Sequence, residues 1–529
     1  MTGLRGLFIV LCIILSGCSS QENLTSSSKI IKINFATDPP SLDPRKAADN
    51  ISSYLATMCF DGLTRLTPQG DVELSLAKSC VISEDGLSYV FTLKEAYWSD
   101  GNQLTAYDFE KSWKSLLDPL FPSQGAFLLY PIKHAKQAKA GEVALESVGI
   151  KAIDSTTLQI ELEHPSPHFF ELLTCSCFYP YTDRVAIHNR ACLEKKEGHF
   201  LSLGPFYIEK YKPQHTISLR KNPHYWDKDR VQLEGIEVFF VSDQNTELSM
   251  YEQGELDWVG SPCTSLPTEA MNSLKKRSDF HEYSIPGLYY YAMNTQKPPL
   301  SNANIRKALS LAINRRELSE HAIQMNMEPA TRLIPMMLRT NTPLTFRDAD
   351  KEKAKAYFLQ GCAELGYKPN NFPKITLSYN AGIGMHFKLV QAIQQEWKET
   401  LGINTELATL EWKVYLDSLA QHDFQIARLG IYSPSLDPAF FLELFAYKNG
   451  FNNHGGWHHP SFEKLFISAV TTLDANKRLA FIQEAEELFL EEMPIIPLFF
   501  YRNSYLKKNS LHNVVLTNGQ LDFKWAKIE

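Results

Sequence analysis

Short segments in which apolar and polar residues alternate recur along the chain, mostly in its first half. In the segment IIKINFAT, which begins at Ile30, every second residue from Ile31 to Phe35 is apolar. The segment STTLQIELEHPSP shows the same alternation from Leu158 to Leu162. A period of two places the apolar side chains on one face of a β-strand. Both segments are therefore predicted to be strands, as are LEGIEVFFV and KITLSYN.

Helical spacing becomes clear in the second half. Apolar residues recur every three or four positions over Asn304–Asn314 and His386–Ile403, which predicts amphipathic helices. Gly402 is expected to end the second helix, and Asp474 is expected to cap a third one that ends before Pro494. Because helices and strands are mixed throughout, the fold class is α/β (mixed α+β). A chain of 529 residues is too long for one core, so two or three lobes are expected.

The segment LYYYAMNTQKPPLSNANIRKALSLAINR, from Leu288 to Arg315, places three tyrosines directly before a break. We predict that the elbow MNTQKPPLSN is a hinge, because a hinge needs a few residues that rotate between rigid elements. The aromatic side chains would then border a cleft that closes over a ligand. The alternative is an ordinary strand with one buried face. Since Tyr290 faces opposite to Tyr289 and Tyr291, at most one or two of the three can line the cleft.

The N-terminal residues resemble the leader of a bacterial lipoprotein. Arg5 is followed by the apolar run Leu7–Leu15, which is shorter than the roughly 20 residues needed to cross a bilayer. The next residues, LSGC, resemble a lipobox that ends at Cys18. Residues 1–17 would be the signal peptide, and residues 18–29 a tether lipid-anchored through Cys18. The protein would then be periplasmic or in the cell envelope. The alternative is an ordinary signal peptide with a chance cysteine.

Composition and motifs exclude several classes of protein. A net charge of −7 without dense Lys/Arg runs argues against a nucleic-acid partner. No G-x-S-x-G, H-E-x-x-H or glycine-rich phosphate loop is present, so no enzymatic activity is predicted. The histidines of NNHGGWHHP are interpreted as an exposed loop, with a metal site as the alternative, and neither metal nor cofactor is predicted. Seven cysteines remain after Cys18, an odd number for which the sequence indicates no pairing.

Six segments in order resemble the periplasmic oligopeptide-binding proteins of ABC importers, the solute-binding protein family 5. They are WSDGNQLTAYDFEKSW, GIKAIDSTTLQIELEHPSPHFFELL, GPFYIEKYKPQHTISLRKNPHYW, YEQGELDWV, YYYAMNTQKPPLSNANIRKALSLAINR and EWKVYLDSLAQHDFQIARLG. The similarity runs from about Ile30 to the C-terminus. It implies a periplasmic-binding-protein type II-like fold of three lobes, with a ligand cleft between the two main lobes. The lobes would be lobe I at 30–58, 178–286 and 503–529, lobe II inserted at 59–177, and lobe III at 287–502.

The resemblance also implies ligand contacts. Arg428, in QIARLG, matches an arginine that receives ligand carboxylates, and His386 matches a histidine that assists it. A guanidinium suits this role because it is permanently charged and binds two oxygens. Trp412 matches an aromatic ligand position, with a core tryptophan as the alternative. Tyr289 and Tyr291 are candidates for the cleft wall.

Four positions depart from the family pattern. The family's aspartate for the peptide α-ammonium falls on Pro434, although Asp437, three residues later, would be a substitute if the loop is rebuilt. The family's lysine near the end of the hinge helix falls on Ile323. A cysteine pair of some members falls on Gly287 and Tyr432. A ligand anchored by carboxylates, such as a cell-wall peptide fragment, is therefore a serious alternative to an ordinary peptide.

The sequence thus predicts a monomeric, lipid-anchored binding subunit that captures oligopeptides by lobe closure and delivers them to an ABC permease in the inner membrane. A cell-wall (murein) peptide is the alternative ligand, and a nickel complex or haem is a more distant one. An enzyme or a signalling lipoprotein is the alternative class.

Overall fold

The computed structural model describes residues 29–529 except 48, 196–197, 324–326, 339–345, 434–435, 449, 451–452 and 518–519. The predicted signal peptide, Cys18 and nearly all of the tether therefore lie outside the described residues. Pro434 lies outside them as well.

The described strands range from two to fourteen residues in length. They are β1 (Ile30–Phe35), β2 (Thr64–Leu66), β3 (Val72–Leu74), β4 (Ala77–Ile82), β5 (Ser88–Leu93), β6 (Ile150–Ala152), β7 (Thr157–Glu161), β8 (Phe206–Lys212), β9 (Thr216–Lys221), β10 (Gly235–Phe240), β11 (Trp258–Gly260), β12 (Phe280–Met293), β13 (Glu328–Pro329), β14 (Ile375–Asn380), β15 (Thr405–Leu410), β16 (Ile426–Tyr432), β17 (Ile495–Lys507), β18 (Leu511–His512), β19 (Val515–Thr517), β20 (Gln520–Asp522) and β21 (Lys527–Ile528).

The described α-helices alternate with these strands along the whole chain. They are α1 (Asn50–Cys59), α2 (Ala106–Leu117), α3 (Ala135–Lys139), α4 (Phe169–Leu172), α5 (Asp183–Lys195), α6 (Gln244–Glu252), α7 (Met271–Leu274), α8 (Ala303–Leu311), α9 (Arg315–Glu317), α10 (Lys351–Leu365), α11 (Gly384–Leu401), α12 (Trp412–Ala420), α13 (Ala439–Ala446), α14 (Pro460–Thr471) and α15 (Ala475–Glu492). None of the described helices combines the length and the apolar composition that a bilayer crossing requires.

The strands and helices predicted from periodicity are confirmed, with end shifts of one to four residues. Strand β1 buries Ile31, Ile33 and Phe35, as its alternation predicts. Helix α11 ends at Gly402, whose φ of 70° is the left-handed conformation that glycine adopts readily. Helix α15 begins after Asp474, whose side chain accepts a hydrogen bond from a backbone N–H of the first turn.

One sheet runs through most of the molecule, and a smaller one lies in the early part of the chain. The large sheet has 11 strands, in the order β15-β14-β16-β12-β17-β11-β1-β10-β9-β8, with β13 paired to β17. The smaller sheet has the order β4-β5-β7-β6 and lies within the segment predicted to form lobe II. The long strands β12 and β17 pair with each other at the centre of the large sheet.

The apolar cores divide the described residues into two bodies. The largest cluster draws its buried residues from 31–263 and 511–526, and we call these residues the first body. Two further clusters draw theirs from 288–501, which we call the second body. The predicted lobes I and II therefore share one large core, whereas lobe III has two clusters of its own. A small fourth cluster lies within lobe I and draws its buried residues from 251–274 and Leu506. The exact lobe limits given in the sequence analysis remain predictions.

Strands β12 and β17 carry the chain from one body to the other. Their pairing shifts register between Ser284 and Leu288, which marks a bulge at the crossing. The elbow MNTQKPPLSN, which the sequence predicts to be a hinge, is bound by hydrogen bonds inside the second body. The Asn294 side-chain amide donates to the carbonyl oxygens of His422 and Phe424, and the Thr295 N–H donates to that of Gly455. The passage from one body to the other lies earlier in the chain, at the bulge of β12.

A buried ionic network closes the first body with residues from the end of the sequence. Arg65 Nε donates to Asp522 Oδ2 at 2.7 Å, and Arg65 Nη1 lies 3.2 Å from Asp61 Oδ1. All three side chains are almost fully buried. Lys524 adds an ion pair of 2.8 Å to Asp227. Strand β20 and the residues after it therefore complete a core whose other members lie far earlier in the chain. The seven described cysteines are all free thiols.

Candidate ligand-binding site

Arg428, Tyr289 and His386 form a contiguous polar group on adjacent strands and the neighbouring helix α11. Strands β12 and β16 are antiparallel, and their register places Tyr289 opposite Gly430, two residues after Arg428. The Arg428 guanidinium carbon lies 4.8 Å from the centre of the Tyr289 ring. Tyr289 Oη in turn lies 3.0 Å from His386 Nδ1. Two residues that the resemblance assigned to one carboxylate site are thus brought together by a tyrosine.

Arg428 and His386 each keep a buried nitrogen that has no hydrogen-bond partner among the described residues. These atoms are Arg428 Nε and His386 Nε2. Burial, followed by the charge of Arg428, lowers the pKa of His386 to about 4, so its imidazole is neutral at pH 7. A ligand carboxylate would satisfy both nitrogens and offset the positive charge of Arg428. The arrangement is therefore suited to an anionic oxygen.

The three tyrosines alternate as predicted, but all are buried. Tyr289 and Tyr291 belong to one core cluster and Tyr290 to the other. Their exposed fractions are 1%, 0% and 2%, respectively. Tyr289 and Tyr291 therefore support the site from behind in this arrangement and do not form its surface.

Trp412 lies at the start of helix α12 with 51% of its surface exposed. The alternative interpretation of Trp412 as a core residue was wrong, because about half of its surface is exposed. The centre of its ring lies 6.3 Å from that of Tyr415. The Tyr415 hydroxyl donates to the carbonyl oxygen of Arg428. Trp412 is thus an exposed aromatic surface that one buried tyrosine connects to Arg428.

The sequence reasoning did not identify Tyr432 and Tyr501 as site residues. Their rings stack at 4.6 Å, and Tyr432 is 57% exposed although many neighbours surround it. A Cβ at Gly287 would lie 2.8 Å from a ring carbon of each tyrosine, so the stack requires glycine there. Tyr432 directly follows the RLGI segment that begins at Arg428, so its position next to the site could have been predicted from the sequence. Tyr501 lies at the end of the apolar run IIPLFFY in β17, and this run gave no such signal.

Three of the positions that depart from the family pattern lie among the described residues. Gly287 and Tyr432 are direct partners in the register of β12 and β16, so the two positions of the family's cysteine pair do face each other. Ile323 is buried and belongs to the core of the second body. It therefore offers no cation to a ligand.

Asp437 does not fit the substitute role considered for it, because its carboxylate is already engaged. Arg478 Nη2 donates to both carboxylate oxygens at 2.7 Å, and His168 Nδ1 lies 2.8 Å from Oδ2. Burial would raise the pKa of Asp437, but His168 and Arg478 outweigh burial and hold this pKa well below its usual range. Asp437 is thus a structural anion in this arrangement.

The histidine-rich loop shows no metal-binding geometry. His458 Nε2 lies 2.9 Å from Glu463, and His459 caps helix α14. Among the residues that the structure describes, no group of three or more His, Cys, Asp or Glu side chains is arranged to hold a metal ion.

Comparison with known proteins agrees with this fold. A model of the bacterial extracellular solute-binding proteins, family 5 Middle, matches residues 71–453. The oligopeptide-binding protein OppA of Bacillus subtilis (strain 168) is 38% identical over 534 residues, covering 98% of this chain and 98% of that protein.

Two solved structures allow the arrangement of the two bodies to be compared with an open and a peptide-bound state. The MppA periplasmic murein tripeptide binding protein in its unliganded open form matches with a TM-score of 0.85 at 26% identity, over 95% of this chain and 98% of that one. The OppA of Listeria monocytogenes bound to peptide matches with a TM-score of 0.70 at 25% identity, over 95% and 99%. The predicted family and the type II-like fold are confirmed. The chain belongs to the bacterial extracellular solute-binding proteins of family 5.

Proposed function

We propose that this protein captures a short peptide in the cleft between the two bodies and delivers it to an ABC permease. The single observation that supports this most is the pair of buried, unpartnered nitrogens on Arg428 and His386. Two opposite charges about 4 Å apart interact by about 4 kcal/mol at an effective dielectric of 20, before desolvation is subtracted. A peptide C-terminal carboxylate would supply that charge, and main-chain hydrogen bonds would bind the rest without regard to side chains.

A murein-derived peptide is the second candidate ligand. Pro434, at the position of the family's ammonium-binding aspartate, favours it, and murein tripeptide binding proteins are among the related solved structures. Without that aspartate, a ligand that is held mainly by carboxylates loses less binding energy than one that depends on its α-ammonium. Mass spectrometry of the ligand that co-purifies with the protein separates the two candidates.

In this proposal the protein catalyses no reaction and acts as a monomer anchored to a membrane through lipidated Cys18. Intact-protein mass spectrometry of the membrane fraction tests the anchor, because a Cys18→Ala variant should lose both the lipid mass and the membrane association.

The central test substitutes Arg428. We expect Arg428→Gln to weaken the binding of trialanine by roughly 30- to 1,000-fold, equivalent to about 2 to 4 kcal/mol, because it removes the partner of a desolvated carboxylate. Isothermal titration calorimetry measures this, with Arg190→Gln as a control at an exposed arginine of α5. Equal affinities of the two variants would refute the carboxylate role, and the absence of any peptide binding by the unsubstituted protein would refute the function.

A further inference from the structure

Besides their connecting strands, the two bodies touch at the short helix α4. His168, the residue before α4, lies 2.8 Å from Asp437 of the second body. Glu171, within α4, accepts a hydrogen bond from the backbone N–H of Leu436. Two consecutive residues of the second body are thus bonded to one turn of the first body.

A third contact lies beside this pair of bonds. The methyl groups of Leu473 pack against Gly86, where an added Cβ would lie 3.1 Å from Leu473 Cδ2. Leu473 otherwise remains 51% exposed, so it is not part of a core. The two bodies therefore make a small mixed polar and apolar contact, which we call the α4 bridge.

The α4 bridge lies close to the crossing strands. The Ser433 N–H donates to the carbonyl oxygen of Pro286 at 2.7 Å, and Pro286 lies inside the bulge of β12. Asp437 follows only four residues later, so it lies at most about 14 Å from that bond. A rotation of about 20° moves an atom 10 Å from the axis by about 3.5 Å, which is enough to break a 2.8 Å contact.

The bridge occurs in an arrangement that resembles an open state. The TM-score is 0.85 to the unliganded open form and 0.70 to the peptide-bound structure, at nearly equal sequence identity. A contact that exists in one state and breaks in the other shifts the equilibrium toward the state that has it.

We propose that the α4 bridge is a latch that stabilises the open arrangement, so that a ligand must break it to close the cleft. The bridge would thereby lower the apparent ligand affinity, because only the fraction of molecules able to close binds tightly. This inference deepens the proposed function, since it concerns the regulation of the same cleft.

His168 allows a clean test because Asp437 stays paired with Arg478 when the imidazole is removed. Small-angle X-ray scattering without ligand should show a smaller radius of gyration for His168→Ala. Calorimetry with trialanine should show about 2- to 10-fold tighter binding, the range expected for the loss of one partly exposed polar contact. His164→Ala is the matched control, at an exposed histidine four residues earlier.

Further variants and outcomes keep the test decisive. His168→Gln retains a donor toward Asp437 and should restore the behaviour of the unsubstituted protein. If His168→Ala fails to fold, Glu171→Gln, which weakens the bond from Leu436, should give a smaller shift in the same direction. Scattering identical to that of His164→Ala, or weaker peptide binding, would overturn the latch. The scattering experiment uses no ligand, so it decides the latch even if trialanine does not bind.

Discussion

At the scale of single residues, the resemblance located the charged groups but not their surroundings. Arg428 and His386 were predicted from short motifs, and the structure places both against Tyr289. The engagement of Asp437 could not be predicted, because Arg478 lies 41 residues away along the chain and His168 lies in the other body. Sequence spacing carries no information about such long-range partners.

The low pKa of His386 makes the stability of the protein depend on pH. The imidazole titrates at about 4 in the folded state and near 6.5 when unfolded, so the unfolded chain binds more protons between these values. We therefore expect the free energy of unfolding to fall as the pH decreases from 7 to 4, by up to about 3 kcal/mol from this group.

Chemical denaturation of the unsubstituted protein and of His386→Gln, which cannot titrate, measures this contribution. The difference between their unfolding free energies should change by about that amount over this pH range. Parallel curves for the two proteins would contradict the assignment.

At the scale of elements, periodicity predicted the strands and helices well because each buries one face. The elbow after Met293 was predicted to be a hinge from its two prolines and its polar residues. The elbow is held by hydrogen bonds from Asn294 and Thr295 to distant backbone atoms. A turn sequence shows where a chain can bend, but tertiary contacts decide whether it moves.

The bulge of β12 leads to a prediction about Gly287. A Cβ there would lie 2.9 Å from the carbonyl oxygen of Ile431 and 2.8 Å from the rings of Tyr432 and Tyr501. We expect Gly287→Ala to reduce the free energy of unfolding by about 1 to 3 kcal/mol, because backbone and rings must move apart. Peptide binding should weaken as well, since the tyrosine stack borders the site.

Gly384→Ala is the control, because a Cβ at Gly384 has no neighbour within 4 Å. Thermal unfolding and calorimetry of both variants test the prediction. Equal stability of the two would show that the strands adapt at no cost.

At the scale of the whole molecule, length predicted several lobes and the resemblance predicted their order. The apolar clusters show a coarser division into two bodies that share one large sheet. The sequence could not indicate that residues 511–526 complete the first core, since the contact between Arg65 and Asp522 spans 457 positions.

That contact predicts a large effect of a substitution near the end of the sequence. Asp522→Ala leaves the buried Arg65 with only Asp61, so we expect the free energy of unfolding to fall by about 3 kcal/mol. Glu529→Gln is the control, because its ion pair with Lys527 is largely exposed and should leave stability unchanged. Denaturant titration distinguishes the two, and similar midpoints would contradict the structural role of Asp522.

The buried pairing of Arg65 with Asp522 also has a consequence for the order of assembly during synthesis. The ribosome adds Asp522 long after it has made the N-terminal half, so that half waits with its ionic centre unfinished. The second body needs none of those late residues in its own cores, and it is complete in sequence by residue 501. We therefore expect the second body to become native before the first, although most of it is made later.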